Sequence, residues 1–154
     1  MEPLNLPSVQ FKIKREGAKQ FLFDAIRRKW VVLTPEEWVR QHFIRFLIDC
    51  HGYHTALIGV EVPVSVNSLK QRADVIVYNR YGHAVMIVEC KASSVKLTNQ
   101  VFDQVARYNL SFKVPYLIVT NGLQHIGAKL NHTAGSYEWL AQIPNFESIG
   151  GEPL

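Results

Sequence analysis

Two short runs carry the side chains best suited to metal-assisted chemistry: Arg72-Ala73-Asp74 and Val88-Glu89-Cys90-Lys91. Side chains alternate along a strand, so Glu89 and Lys91 share a face and Cys90 points the other way. If the strand begun by Asp74 pairs antiparallel with the one ended by Glu89, two carboxylates and an ammonium group meet at one end of a sheet. Residues 84–88 between them are wholly apolar, as expected of a strand buried on both faces. Ionised groups at the end of such a strand are costly unless paired or bound to a cation. Two close carboxylates repel, a divalent ion relieves the repulsion, and hard oxygen donors favour Mg²⁺ or Mn²⁺. A Glu–Lys or Asp–Lys ion pair at a strand end fits the same residues.

Other residues bear on this choice. On the helix expected after residue 34, Val39, Phe43, Phe46, Leu47 and Cys50 cluster on one side at about 100° per residue. Glu36 projects toward that side. A carboxylate there either joins the site or is a solvated first-turn Glu favoured by the helix dipole. Glu37 lies a step away, where a capping box explains it. Gln104 and Tyr108 are four apart and share a helix face. Arg72, Lys70, Lys96 and Arg107 are candidates to hold phosphates. The Thr120-Asn121-Gly122 loop follows a buried strand, which makes Asn121 a further nucleic-acid candidate beside the plain-turn reading.

The elements that must position these groups can be read from pattern. Phe11 to Lys14 alternates, Glu16-Gly17 is a turn, and residues 20–33 return as the irregular second arm of an N-terminal β-hairpin. Thr34-Pro35-Glu36-Glu37 starts a helix running to about Cys50 and ending before Gly52. Strands are expected over 56–66, 73–78 and 84–91, with Pro63 marking a bulge or an edge. A helix covers 99–110, with Val101, Val105 and Tyr108 at helical spacing. A buried strand follows at 115–120, a weaker one at 125–130, and a strand or short helix at 137–143. This order predicts an α/β fold: a mixed sheet flanked by helices, with strands 84–91 and 115–120 parallel across the helical crossover.

The 154 residues suit one domain, and a net charge of +4 with a pI near 9.1 is compatible with a phosphate-bearing partner. Cys50 and Cys90 form no CxxC pair and read as reduced core thiols. No run reaches the ~20 apolar residues of a membrane helix. The N-terminus shows no signal-peptide pattern, so the cytoplasm is the expected location. His51-x-x-His54 lacks a matching third zinc ligand. No Gly-rich phosphate loop or nucleophile elbow is visible.

Taken together, Asp74, Glu89-Cys90-Lys91 and Gln104-x-x-x-Tyr108 resemble the PD-(D/E)xK nuclease superfamily. Within it, the chain resembles the N-terminal domain family of type I restriction enzyme R subunits. The likeness lies in Leu33-Thr34-Pro35-Glu36-Glu37-Trp38-Val39-Arg40-Gln41, Arg72-Ala73-Asp74-Val75, Ile87-Val88-Glu89-Cys90-Lys91 and Ile118-Val119-Thr120-Asn121-Gly122. Residues 23–33 also resemble small stand-alone bacterial members. Ala73 stands where the motif has proline. The resemblance implies a restriction-endonuclease-like core over 34–154, with 1–33 as a hairpin extension packed on it. It implies that Asp74 and Glu89 are ligands of Mg²⁺ or Mn²⁺, with the Cys90 carbonyl as a further ligand. Lys91 is then the catalytic lysine, Glu36 the helix carboxylate (Glu37 being the register alternative), and Gln104 and Tyr108 an accessory pair. Arg72, Arg107, Tyr108 and Asn121 would contact nucleic acid. The implied activity is phosphodiester hydrolysis of nucleic acid, DNA above all, leaving a 5′-phosphate. A silent binding or assembly module on the same fold is the alternative. A homodimer or a larger restriction- or repair-type complex stays open.

Overall fold

A computed structural model describes residues 1–66 and 69–149. The chain opens with β1 (Ile13–Glu16), β2 (Lys19–Asp24) and β3 (Lys29–Val32), an antiparallel sheet of order β1-β2-β3. The expected hairpin is therefore three-stranded. Its irregular second arm contains a turn, made by Asp24 Oδ1 accepting the Ile26 and Arg27 N–H groups at 2.8 and 3.1 Å. Arg28 completes that turn in the left-handed region, at φ 55°.

Helix α1 (Pro35–His51) begins where Thr34 caps it, its Oγ1 accepting the Glu37 N–H at 3.0 Å. It stops at Gly52, at φ 73°, a conformation that glycine adopts without a Cβ clash. The second half of the predicted capping box is absent, because the Glu37 carboxylate turns inward to arginines. Next come β4 (Ile58–Val66), β5 (Leu69–Tyr78) and β6 (Ala84–Cys90), all antiparallel. Helix α2 (Asn99–Asn109) then crosses to β7 (Tyr116–Thr120), which lies parallel to β6 as predicted. β8 (His125–Asn131), β9 (Ser136–Trp139) and the single turn α3 (Phe146–Ile149) end the described chain. The six strands lie in the order β4-β5-β6-β7-β8-β9, so Pro63 sits on an edge strand where its missing N–H does no harm.

The sheet is covered on both faces. On one, Val39, Phe43, Ile44 and Leu47 of α1 pack on Val75, Val77, Val88 and Cys90. On the other, Phe102 and Ala106 of α2 pack on Ile76, Ile87, Leu117 and Val119. The buried stripe of α2 is thus Phe102, Ala106 and Asn109, with Val101 and Val105 at its margin and Tyr108 39% exposed. Among the described residues no helix is long and apolar enough to cross a membrane.

Candidate active site

The β5–β6 ladder runs through Ile76↔Ile87 and ends at Val75↔Val88. One step further, Asp74 and Glu89 face each other. Alternation sends Glu89 to the side of Ile87, while Val88 and Cys90 enter the opposite core. The Asp74 side chain replaces the ladder there: its Oδ2 accepts the Cys90 N–H at 2.8 Å. Lys91 is held by its own N–H, which donates to the Thr120 carbonyl at 2.8 Å. Its Nζ lies 3.4 Å from Glu89 Oε1. The predicted convergence of Asp74, Glu89 and Lys91 is therefore present, at the rim where β5 and β6 part.

The electrostatics explain what such a cluster needs. Burial raises the Glu89 carboxyl to about 7, and the charge on Asp74 adds to the rise while Lys91 opposes it. Burial also raises Asp74, against the pull of the Cys90 N–H, Arg40 and Lys91. Two carboxyls so placed share one proton. A divalent cation can take that proton's place, and two hard oxygen donors suit Mg²⁺ or Mn²⁺. Among the described residues no three His, Cys, Asp or Glu side chains gather closely enough to hold an ion unaided. Mg²⁺ does not require this, since it is commonly held by one or two carboxylates with waters and substrate phosphate completing the shell. Cys90 can contribute only its carbonyl, because its thiol is buried in the core and burial holds it protonated.

Glu36 stands exposed in the first turn of α1. Partial desolvation raises its carboxyl, and Asp74 raises it further while Arg40 and Lys91 oppose. Glu36 thus faces the cluster, not the apolar side of its helix. Glu37 is the buried one, 5% exposed. Its Oε1 pairs with Arg27 Nη2 at 2.5 Å and its Oε2 with Arg40 Nε at 3.0 Å, and Gln41 donates to Oε2 at 3.2 Å.

Four residues of this network escaped the sequence reading. Arg27 also pairs with Asp24 and, at 3.3 Å, with Glu61. Arg40 lies 3.6 Å from Glu61 and donates to the Asp74 carbonyl at 3.4 Å. Glu61, opposite Asp74 in the β4–β5 register, reaches these arginines from a backbone at φ 52°. Spacing alone flags Arg40, three residues after Glu37 and four after Glu36, and Arg27, three after Asp24. Nothing local flags Glu61.

The remaining candidates lie elsewhere. Gln104 is exposed on α2 and makes no hydrogen bond to the cluster among the described residues. Tyr108 is half-exposed, its ring 5.8 Å from that of Phe112. Arg107 is paired with Asp103 at 2.7 Å. Arg72 and Lys96 are exposed, and the side chain of Lys70 lies outside the described residues. Asn121 is buried. Its Oδ1 accepts the Leu123 and Gln124 N–H groups and its Nδ2 donates to the Val95 carbonyl, so its amide braces the loop.

With this geometry in place, the likenesses to known proteins can be set beside it. A family model described as the N terminus of the type I restriction enzyme R protein matches residues 35–144. A fragment structure of a protein assigned as an HsdR subunit of a type I restriction enzyme, from Vibrio vulnificus YJ016, superposes with a TM-score of 0.51 at 18% identity. The match covers 75% of this chain and 24% of that one, so the chain spans about a quarter of its neighbour's length. At that identity the likeness carries the fold alone. No curated protein matches the chain.

Proposed function

The chain belongs to the family of type I restriction enzyme R protein N-termini, and on that premise we propose that its Asp74–Glu89–Lys91 cluster is a metal-dependent nuclease centre of the PD-(D/E)xK kind. The observation that carries the reading is the juxtaposition of Asp74 and Glu89 one step past the Val75↔Val88 pair, where Asp74 Oδ2 accepts the Cys90 N–H at 2.8 Å, with the Lys91 ammonium 3.4 Å from Glu89. In this reading residues 34–154 form the nuclease core and 1–33 an extension, joined through Arg27 and Glu37.

Asp74, Glu89 and the Cys90 carbonyl would hold Mg²⁺ or Mn²⁺. When bound, such an ion acidifies a coordinated water and offsets charge on a pentavalent phosphate. Glu89 and Lys91 are fixed on one strand face, so the carboxylate and the ammonium keep a constant relation to any phosphate between them. Lys91 is placed to orient the attacking water and to stabilise charge developing on the phosphate oxygens. Glu36 adds a carboxylate at the mouth of the cluster that can accept a hydrogen bond from that water. Arg40 acts at one remove: its bond to the Asp74 carbonyl holds the strand at the point where the ladder ends.

The substrate of this reading is DNA, and assembly into a larger restriction- or repair-type complex, or as a homodimer, belongs with it. Cleavage of plasmid and single-stranded DNA with Mg²⁺ or Mn²⁺ tests the chemistry. The wild type should cut, and Asp74→Ala and Lys91→Ala should each lose at least about a hundredfold in rate. Equal activity in all three would remove the site. DNA binding without cleavage by any of them would favour the silent binding module.

A further inference from the structure

The N-terminal sheet lies outside the span matched by the family model and has a surface of its own. The register Lys14↔Phe21↔Val32 and Phe23↔Trp30 puts these five side chains on one face, with the fully buried Leu22 on the other. Lys12 extends β1 on the same face, its carbonyl accepting the Phe23 N–H at 2.9 Å. Trp30 is 39% and Val32 44% exposed. The cover over the rings is cationic: Lys14 Nζ lies 4.7 Å from the Trp30 centroid and 5.8 Å from that of Phe21, and Lys12 Nζ 6.0 Å from that of Phe23. Residues 12–32 hold seven Lys or Arg and two acids, a net +5 against +4 for the whole chain. The positive charge of this protein is therefore concentrated on its N-terminal sheet. An open cavity lined by Phe11, Lys12, Phe23, Gln41 and Arg45 continues the surface toward α1.

An exposed Trp30 flanked by the half-buried Phe21 and Phe23 and interleaved with lysines forms a surface on which bases can stack while ammonium groups meet phosphates. We propose that this face binds single-stranded DNA, with bases on Trp30, Phe21 and Phe23 and backbone phosphates at Lys12 and Lys14. A duplex hides its base faces and cannot use the rings. Glu16 lies on the same face and pairs with Lys14 Nζ at 2.8 Å, but both side chains are solvent-exposed, so a phosphate competes with this carboxylate for the ammonium group. The proposal does not require the hydrolytic reading, since the surface contains none of the metal-site residues.

The test is fluorescence anisotropy of a labelled oligo-dT with the full chain in EDTA. Trp30→Ala should weaken binding at least about fivefold, while Trp30→Phe retains most of it. Lys12→Ala/Lys14→Ala should flatten the slope of log affinity against log salt by about 1.4. Lys129→Ala, which removes a lysine on β8 in the main sheet, should bind as wild type, showing that loss of a positive charge alone does not produce the effect. The proposal is overturned if both the Trp30→Ala and the double lysine variants bind normally. Tighter binding of duplex DNA or oligo-rU would also overturn it. So would ring-dependent dimerisation, or phosphatidylserine vesicle binding, in a chain with no affinity for oligo-dT.

Discussion

Neutralising Glu89 should make the metal-free protein more stable at alkaline pH. Burial and Asp74 raise the Glu89 carboxyl from 4.5 to about 7 in the folded chain. A group whose folded pKa is raised contributes stability that is complete below its unfolded pKa and lost as pH climbs through the folded one. Above about pH 7, then, the fold carries an ionised Glu89 that the unfolded chain would hydrate more favourably. At 1.36 kcal/mol per unit the ceiling is about 3 kcal/mol, and water reaching this partly exposed carboxyl brings the expected figure to about 2 kcal/mol. Glu89→Gln keeps the shape and can donate a hydrogen bond to Asp74. The Lys91 pair it sacrifices is partly exposed and contributes under about 1 kcal/mol. Urea unfolding followed by tryptophan fluorescence in EDTA should therefore show Glu89→Gln ahead by about 2 kcal/mol near pH 8, with the gap closing toward pH 4. Saturating Mn²⁺ should stabilise the wild type and leave the variant unmoved. A variant less stable than wild type near pH 8 would mean that Lys91 makes Glu89 a structural ion, and the metal-site argument would fail.

Glu36 and Glu37 are adjacent in sequence but should behave oppositely. Glu37→Gln leaves Arg27 and Arg40 buried with reduced charge compensation and should cost about 3 kcal/mol of unfolding free energy, whereas Glu36→Gln should leave stability within about 0.5 kcal/mol and reduce cleavage. Mn²⁺ affinity by isothermal titration should rise close to tenfold per pH unit from about pH 6 toward 7 and flatten above, with roughly one proton released at the acid end. A pH-independent affinity would mean that Glu89 is not a ligand. Thr34→Ala removes the cap of α1 and should lower stability by about 1 kcal/mol in thermal or urea unfolding.

Much of the architecture was legible because it rests on local rules. The Thr34-Pro35 start, the apolar run through 84–88 and the helix before residue 115 each declare themselves within a few residues. The right-handed crossover then leaves β6 and β7 one sensible relation. Asp74, Glu89 and Lys91 could be brought to one sheet end for the same reason, since the Asn79–Gly82 turn pairs β5 with β6 antiparallel. The irregularity between Val77 and Tyr78, which shifts the register by one residue and sets Asp74 opposite Glu89 instead of Val88, was not legible. The third N-terminal strand was hidden because Asp24 builds its turn with a side chain, in a stretch with no glycine or proline to mark a reversal. The α2 stripe was misjudged by one position, since Val101 and Phe102 are both apolar and only the sheet decides which of them it buries.

Residue type and spacing by themselves determined that two carboxylates and a lysine share the rim of a mixed sheet. Only the tertiary structure decided that Glu37 is the structural acid and Glu36 the one facing the cluster. Helical geometry puts neighbouring side chains about 100° apart but says nothing of where an arginine waits. Arg27 lies ten residues before Glu37, and Glu61 thirty-four after Arg27. Charges so far apart along the chain meet only because two sheets and a helix bring them together, and no local period records such a meeting.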